Sequence, residues 1–324
     1  RLMTIVVTGA AGFIGYHLSR TLLQRGERVL GVDNFDPYYS VELKRARIGE
    51  LRRAGDFVLL EADIGKAQSV PAIQAAAGTI TGIANMAANP GVRASDDRPF
   101  DFIDSNIGGM LCTLELARHA GRPVPLVYAS TSAVYGASTA MPYRIDDRAD
   151  RPKSLYGATK RAAEMISVSY AERFGIGATA LRFFTVYGPW GRPDMATWKF
   201  TKALFEGEKI ELYNYGRMTR GFTYVQDTVE AVLLAMDKPA APGEHRILNV
   251  GSAGSETLER YLSVLERAVG RQAEVERVAA HPSEMIDTVA DISETERVLG
   301  WKPSTSIDEG LPKFVDWYRA YHGK

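Results

Sequence analysis

The most constraining feature of this sequence is a junction near its start. Five β-branched residues, Thr4-Ile5-Val6-Val7-Thr8, run into Gly9-Ala10-Ala11-Gly12-Phe13-Ile14-Gly15, and a helical pattern follows to about residue 25. β-Branched runs favour extended backbone, and glycines allow the tight turn that drops a strand into a helix. The next parallel strand is reached only after that helix packs back onto the sheet. The first half of the chain keeps this rhythm. Strands are expected at 28–33, 57–62, 81–87, 124–130 and 178–184, with helices at 41–54, 67–77 and 155–174. A further long helix is expected after Arg98-Pro99, with Ile103, Ile107, Met110/Leu111 and Leu114 on one face. The expected class is therefore α/β, a doubly wound parallel sheet covered on both faces. Beyond about residue 185 the rhythm loosens among Gly, Pro and Tyr. The division this implies is a parallel-sheet domain at 1–184 and a smaller α/β domain at 185–324 that closes over it, with some segments returning to the first.

Composition removes several other classes. Lys plus Arg is 39 and Asp plus Glu is 39, so the basic excess of a nucleic-acid binder is missing. One cysteine, Cys112, permits no internal disulfide, and the five scattered histidines form no zinc-ligand pair, so no metal is expected. Cys112 itself reads as a small core residue. No apolar run reaches the length of a membrane span and no leader pattern precedes the first strand. The expectation is a cytoplasmic protein with neither nucleic acid nor membrane as partner.

Two motifs carry chemistry. At the strand-to-helix turn Gly9, Gly12 and Gly15 bare the backbone to an anion, and the helix N-terminus favours a pyrophosphate there. Asp33 closes the second strand, where a carboxylate accepts hydrogen bonds from adenosine ribose hydroxyls and repels a 2′-phosphate. The following Asn34 brings no cation, so NAD is expected rather than NADP. The second motif is Tyr156-Gly157-Ala158-Thr159-Lys160, which sets a phenol and an ammonium on one helix face. A phenol with an ordinary pKa of about 10 is a weak base at neutral pH. A neighbouring ammonium and an oxidised nicotinamide both favour its phenolate. Thr131, in Ser130-Thr131-Ser132, can share a hydrogen bond with a reacting hydroxyl. This is equipment for hydride transfer at a carbinol.

The glycine trio, Asp63-Ile64, Tyr135-Gly136 and Tyr-x-x-x-Lys together resemble the extended short-chain dehydrogenase/reductases. More narrowly, the segment 182–195, Arg-Phe-Phe-Thr-Val-Tyr-Gly-Pro-Trp-Gly-Arg-Pro-Asp-Met, resembles the UDP-glucuronate 4-epimerases. The resemblance implies a Rossmann-type domain, a tightly held NAD, a UDP-sugar-binding C-terminal domain, a homodimer, and exchange of UDP-glucuronate with UDP-galacturonate through a 4-keto intermediate. It assigns catalysis to Thr131, Tyr156 and Lys160. It also places Phe13, Ile14, Asn34, Asp63, Ile64, Ala87, Ala88, Asn106 and Ser130 at the cofactor. Thr185 and Arg192 are placed at the uronate, with Ser132, Arg93, Tyr213, Arg220 and Glu284 as further substrate contacts.

Subfamilies differ around residue 132. Related dehydratases carry Asp-Glu where this chain has Ser132-Ala133, and related decarboxylases carry glutamate at the position of Ala133. Neither acid is present, so oxidation followed by reduction is the simplest chemistry left. The chain departs from the epimerase pattern at Ala133, where serine is expected, and at Gly221, where aspartate is expected. His281-Pro282 lie near a family arginine. Arg192 suits a uronate because a guanidinium grips a carboxylate through two parallel hydrogen bonds. The helix holding Met110 and Leu114, with the Tyr156 helix, is the expected face toward a second copy. His17 reads as packing, and Trp190 and Trp198 as core or interface aromatics. The alternatives are an epimerase of neutral UDP-hexoses and a non-catalytic NAD-binding regulator on the same fold.

Overall fold

The computed structural model describes residues 3–136, 140–279 and 287–324. Its centre is a seven-stranded sheet. Six strands come from the first half: β1 (Met3–Thr8), β2 (Val29–Asp33), β3 (Phe57–Glu61), β4 (Thr79–Asn85), β5 (Leu126–Thr131) and β6 (Ala178–Phe183). The seventh, His245–Val250, comes from far along the chain and pairs with β6. The spatial order is His245–Val250, β6, β5, β4, β1, β2, β3, and every pairing is parallel. Strand order reverses between β1 and β4, and in open parallel sheets the crevice beyond that reversal is where ligands bind.

β1 and β2 are buried along almost their whole length, the pattern of strands covered on both faces. On one face lie helices Phe13–Gln24 and Val225–Asp237, packed through Leu18, Leu22, Val229 and Val232. On the other lie helices Ser69–Ala77, Gly109–Arg118 and Leu155–Phe174, with Ile73, Leu114 and Ala163 in the core. Helix Leu155–Phe174 starts where the Ser154 hydroxyl accepts the Gly157 amide at 3.1 Å and stops at left-handed Gly175.

A second, smaller lobe has its own core of Phe200, Leu204, Phe222, Tyr261, Leu265 and Leu311. Helices Ala196–Glu206, Leu258–Val269 and Ile307–His322 surround short strand pairs, among them Thr185–Tyr187 beside Phe222–Tyr224. The chain does not stay in this lobe: helix Val225–Asp237 and strand His245–Val250 belong to the central sheet's layers.

The long helix expected after Pro99 needs correction. It is broken into Pro99–Phe102, a π-helical stretch Ile103–Gly108, and Gly109–Arg118. The wider π turn shifts the register of the residues that follow it, and Ile103, where it begins, is 40% exposed. Met110 and Leu114 are buried within the chain. The exposed apolar side chains here are Phe100, Ile103, Leu111 and, on helix Leu155–Phe174, Met165.

Candidate active site

A cleft of about 1190 Å³ opens along the carboxyl ends of the central strands and runs on against the smaller lobe. Its floor is the glycine turn. Gly9 has φ +69°, and a Cβ there would lie 2.7 Å from the Ala87 amide nitrogen, so β1 and the end of β4 meet in a contact only glycine permits. A Cβ at Gly15 would overlap the Gly9 carbonyl. No side chain caps helix Phe13–Gln24, so its first amides are left for an anion. Gly12, Phe13, Ile14 and Gly15 line the cleft, as do Ala87 and Ala88 opposite.

At the end of β2 the two Asp33 oxygens accept the backbone amides of Ala11 (3.0 Å) and Phe35 (2.9 Å). This fixes the carboxylate against the turn and leaves its remaining lone pairs for a ribose. Burial raises its pKa, while those amides and the charges of Lys44 and Arg47 work the other way. Asn34, Asp63 and Ile64 line the same end, and Asp63 orders its own loop by accepting the Gly65 amide at 2.9 Å. The donors and the bare turn fit an adenine dinucleotide. Sequence reading did not foresee Lys44, a cation at this end, whose Nζ is committed to the Asp36 carbonyl at 2.6 Å.

Farther along, Thr131 and Tyr156 meet. Both line the cleft, and the Thr131 hydroxyl and the positive charge of Arg192 draw the phenol's pKa down against the larger upward push of burial. Thr131 also accepts the Ala133 amide at 3.2 Å, which fixes its rotamer. Lys160, one turn beyond Tyr156, is buried, and burial pushes its ammonium down to about 8 with Glu164 opposing. Glu164 sits in a buried charge network beneath these residues. Arg182 grips it with two parallel bonds of 2.9 and 2.8 Å, Ser130 donates to it at 2.6 Å and Arg161 at 2.7 Å. These donors outweigh burial and keep Glu164 ionised.

Arg192 comes from the loop after Thr185–Tyr187. Its guanidinium is forked onto Asp194, with Nε to Oδ1 at 2.9 Å and Nη2 to Oδ2, and the Tyr38 hydroxyl donates to the same carboxylate at 3.2 Å. Burial opposes charge on Asp194, yet Arg192 holds the carboxyl below its usual range. Sequence reading missed Asp194, although its place two residues after Arg192 was the available signal. Thr185 and Ser132 line the same cleft as Arg192. At the far end the Arg93 guanidinium lies 5.2 Å from the Tyr213 ring, which joins two separately expected substrate residues across the lobes. Arg220 lines the cleft too. Its neighbour Gly221 donates its amide to the Thr288 carbonyl at 2.8 Å.

Two expected residues stand apart. Asn106 is not on the cleft: its amide oxygen accepts from the Asn89 amide at 2.8 Å and its nitrogen donates to the Thr159 hydroxyl at 3.0 Å. The π turn carries it behind the wall, where it ties the Asn89 loop to the Tyr156 helix. Glu284 lies outside the described residues, as do His281 and Pro282. Among the described residues no cluster of acidic, histidine or cysteine side chains could hold a metal ion.

The comparisons agree with this geometry. The profile described as "NAD dependent epimerase/dehydratase family" matches residues 5–251. The chain is 39% identical to Protein CapI of Staphylococcus aureus, across 99% of this chain and 100% of that one. It is 39% identical to UDP-glucuronate 4-epimerase 4 of Arabidopsis thaliana, across 99% of this chain and 76% of the relative. It superposes with TM-score 0.89 on UDP-glucuronic acid 4-epimerase of Bacillus cereus, solved with UDP-glucuronic acid and NAD, at 32% identity over 98% and 100% of the two chains. With a glycine turn, a ribose acid and a Thr–Tyr–Lys set in one cleft, and relatives matched along its whole length, the chain belongs to the NAD dependent epimerase/dehydratase family.

Proposed function

We propose that the protein is an NAD-dependent isomerase that inverts C4 of UDP-glucuronate to give UDP-galacturonate through a 4-keto intermediate. The observation that carries this reading is Arg192, a carboxylate-binding cation that lines the same cleft as Thr131, Tyr156 and Lys160. When bound, NAD supplies oxidation at C4 and its reversal on the opposite sugar face, and the chain's own residues manage the proton and the carboxylate. Tyr156, as phenolate, takes the O4 proton while Thr131 holds O4 in line, and the same proton returns to O4 after the keto sugar has turned over. Lys160 and Arg192 favour the phenolate by charge. The intermediate is a β-keto acid and loses carbon dioxide when its C5–C6 bond aligns with the ketone. Arg192, Thr185 and Ser132 hold the carboxylate out of that alignment. Gly9, Gly12, Gly15, Asp33 and Asp63 take the NAD. Arg93, Tyr213 and Arg220 take the uridine diphosphate.

A neutral UDP-hexose is the second reading, favoured by the Asp194 carboxylate that already holds the Arg192 fork. The reading also includes a homodimer formed through the exposed apolar residues of helices Gly109–Arg118 and Leu155–Phe174, and a cytoplasmic location. No described helix is long and apolar enough to cross a membrane. The deciding experiment incubates the purified protein separately with UDP-glucuronate and UDP-glucose, resolves the products, and identifies the nucleotide released on denaturation. UDP-galacturonate formation with NAD released is the expected result. Conversion of UDP-glucose alone would replace this reading with the second one.

A further inference from the structure

Arg47, on helix Val41–Ala54, is fully buried, and none of the chemistry above uses it. Its Nη1 donates to the Ala11 carbonyl and the Tyr39 hydroxyl, both at 2.7 Å. Its Nη2 donates to the carbonyls of Trp190 (2.6 Å) and Gly191 (3.3 Å). All four acceptors are neutral, so a buried cation is held by dipoles from two separate structures. Ala11 belongs to the glycine turn. Trp190 and Gly191 immediately precede Arg192.

The same loop is held from a second side. His17 Nε2 donates to the Pro189 carbonyl at 2.7 Å, and its Nδ1 accepts from Gln226 at 3.1 Å. Burial keeps that ring neutral, with its pKa down at about 4, which suits one donating and one accepting nitrogen. Between the two anchors Trp190 has φ +61°, a left-handed conformation that a bulky side chain seldom adopts. Such a conformation persists where the surroundings over-determine it. Here three successive carbonyls, those of Pro189, Trp190 and Gly191, are each held by a buried side chain.

We propose that Arg47 is a positioning residue. It clamps the loop carrying Arg192 to the dinucleotide turn and so sets the height of the uronate-binding guanidinium over the cofactor. The functional part of this assignment rests on the reading of Arg192 given above. The mechanical part, a clamp joining turn to loop, stands on the hydrogen bonds alone. Arg47→Lys keeps the charge but cannot span both sides, because an ammonium lacks the planar fork.

The test measures hydrogen exchange in a peptide covering 188–195, in the NAD-loaded protein and its variants, alongside affinities for UDP and UDP-glucuronate. In Arg47→Lys, exchange in 188–195 should rise at least ten-fold while the central strands are unchanged. UDP affinity should stay within about two-fold. Catalytic efficiency on UDP-glucuronate should fall ten- to a hundred-fold, because a displacement of about 1 Å in a positioning group costs on that order. The decarboxylated share of product should rise with it. His17→Leu acts on the neighbouring carbonyl and should move each readout in the same direction; it decides the matter if Arg47→Lys does not fold. His17→Gln, which can still donate, should restore most of the loss. Unchanged exchange in 188–195, or a uniform loosening of the whole chain, overturns the clamp. A local rise in exchange with no preference for UDP-glucuronate over UDP in the unmodified protein leaves the clamp standing and removes the uronate reading instead.

Discussion

Tyr156 shows how closely the chemistry depends on single side chains. Burial makes its phenol reluctant to ionise, and the Thr131 hydroxyl and the Arg192 cation oppose that reluctance. Tyr156→Phe deletes only the oxygen, so turnover should fall by about 10²–10⁴-fold, the usual scale of general-base contributions. NAD content and the unfolding midpoint should be unchanged; a variant retaining most of its turnover would show that another group takes the proton. The glycine turn, Asp33, Tyr156 and Lys160 were legible in the sequence because their spacing is local and their chemistry demands those residue types. Asp194 lies only two residues from its partner Arg192 and was overlooked. Glu164 and Arg47 were not legible, because they act through partners brought close by folding: Glu164 reads as one more acid on a helix until Arg182 of β6 is seen to grip it. Removing one member of such a buried pair costs about 3–5 kcal/mol, because the other charge is left unpaired.

Helix Phe13–Gln24 illustrates the same division among elements. It presents its N-terminus to the cleft and, one turn later, His17 to the Pro189 carbonyl. A histidine whose folded pKa is lowered stays neutral while the unfolded chain takes up a proton. Stability is therefore lost as pH falls from about 6.5, and the loss is complete below about 4. His17→Gln should flatten this dependence by roughly 2–3 kcal/mol between pH 7 and pH 4.5. Urea unfolding at both pH values measures it, and an unchanged slope would mean that His17 titrates normally. His245, likewise held near 4, keeps part of the slope in the variant. Strand and helix positions in the first half were readable because period-2 and period-3.6 patterns are set by near neighbours. The π turn Ile103–Gly108 was not, since Ile103, Ile107 and Leu114 fit an ordinary helix in sequence. The edge strand His245–Val250 was missed because its half-polar sequence pairs with residues far upstream.

For the whole molecule, the apolar exposure on helices Gly109–Arg118 and Leu155–Phe174 is the feature that a second copy would cover. Leu111 is 42% and Met165 52% exposed. The double variant Leu111→Glu/Met165→Glu should sediment as a monomer with an unchanged circular dichroism spectrum, where the unmodified protein should sediment as a dimer. A dimer that survives both charges would move the interface elsewhere. The path of the chain between the lobes sets a different limit. Strand His245–Val250 arrives only after the first helix and strands of the smaller lobe, yet it covers β6, all six residues of which are buried. A fragment ending at residue 184 would leave β6 as a bare apolar edge, open to pairing with other chains. During synthesis the nucleotide-binding sheet waits, unfinished, for the strand that closes it. The first lobe's sheet is therefore completed only by a strand that the chain supplies after it has already entered the second.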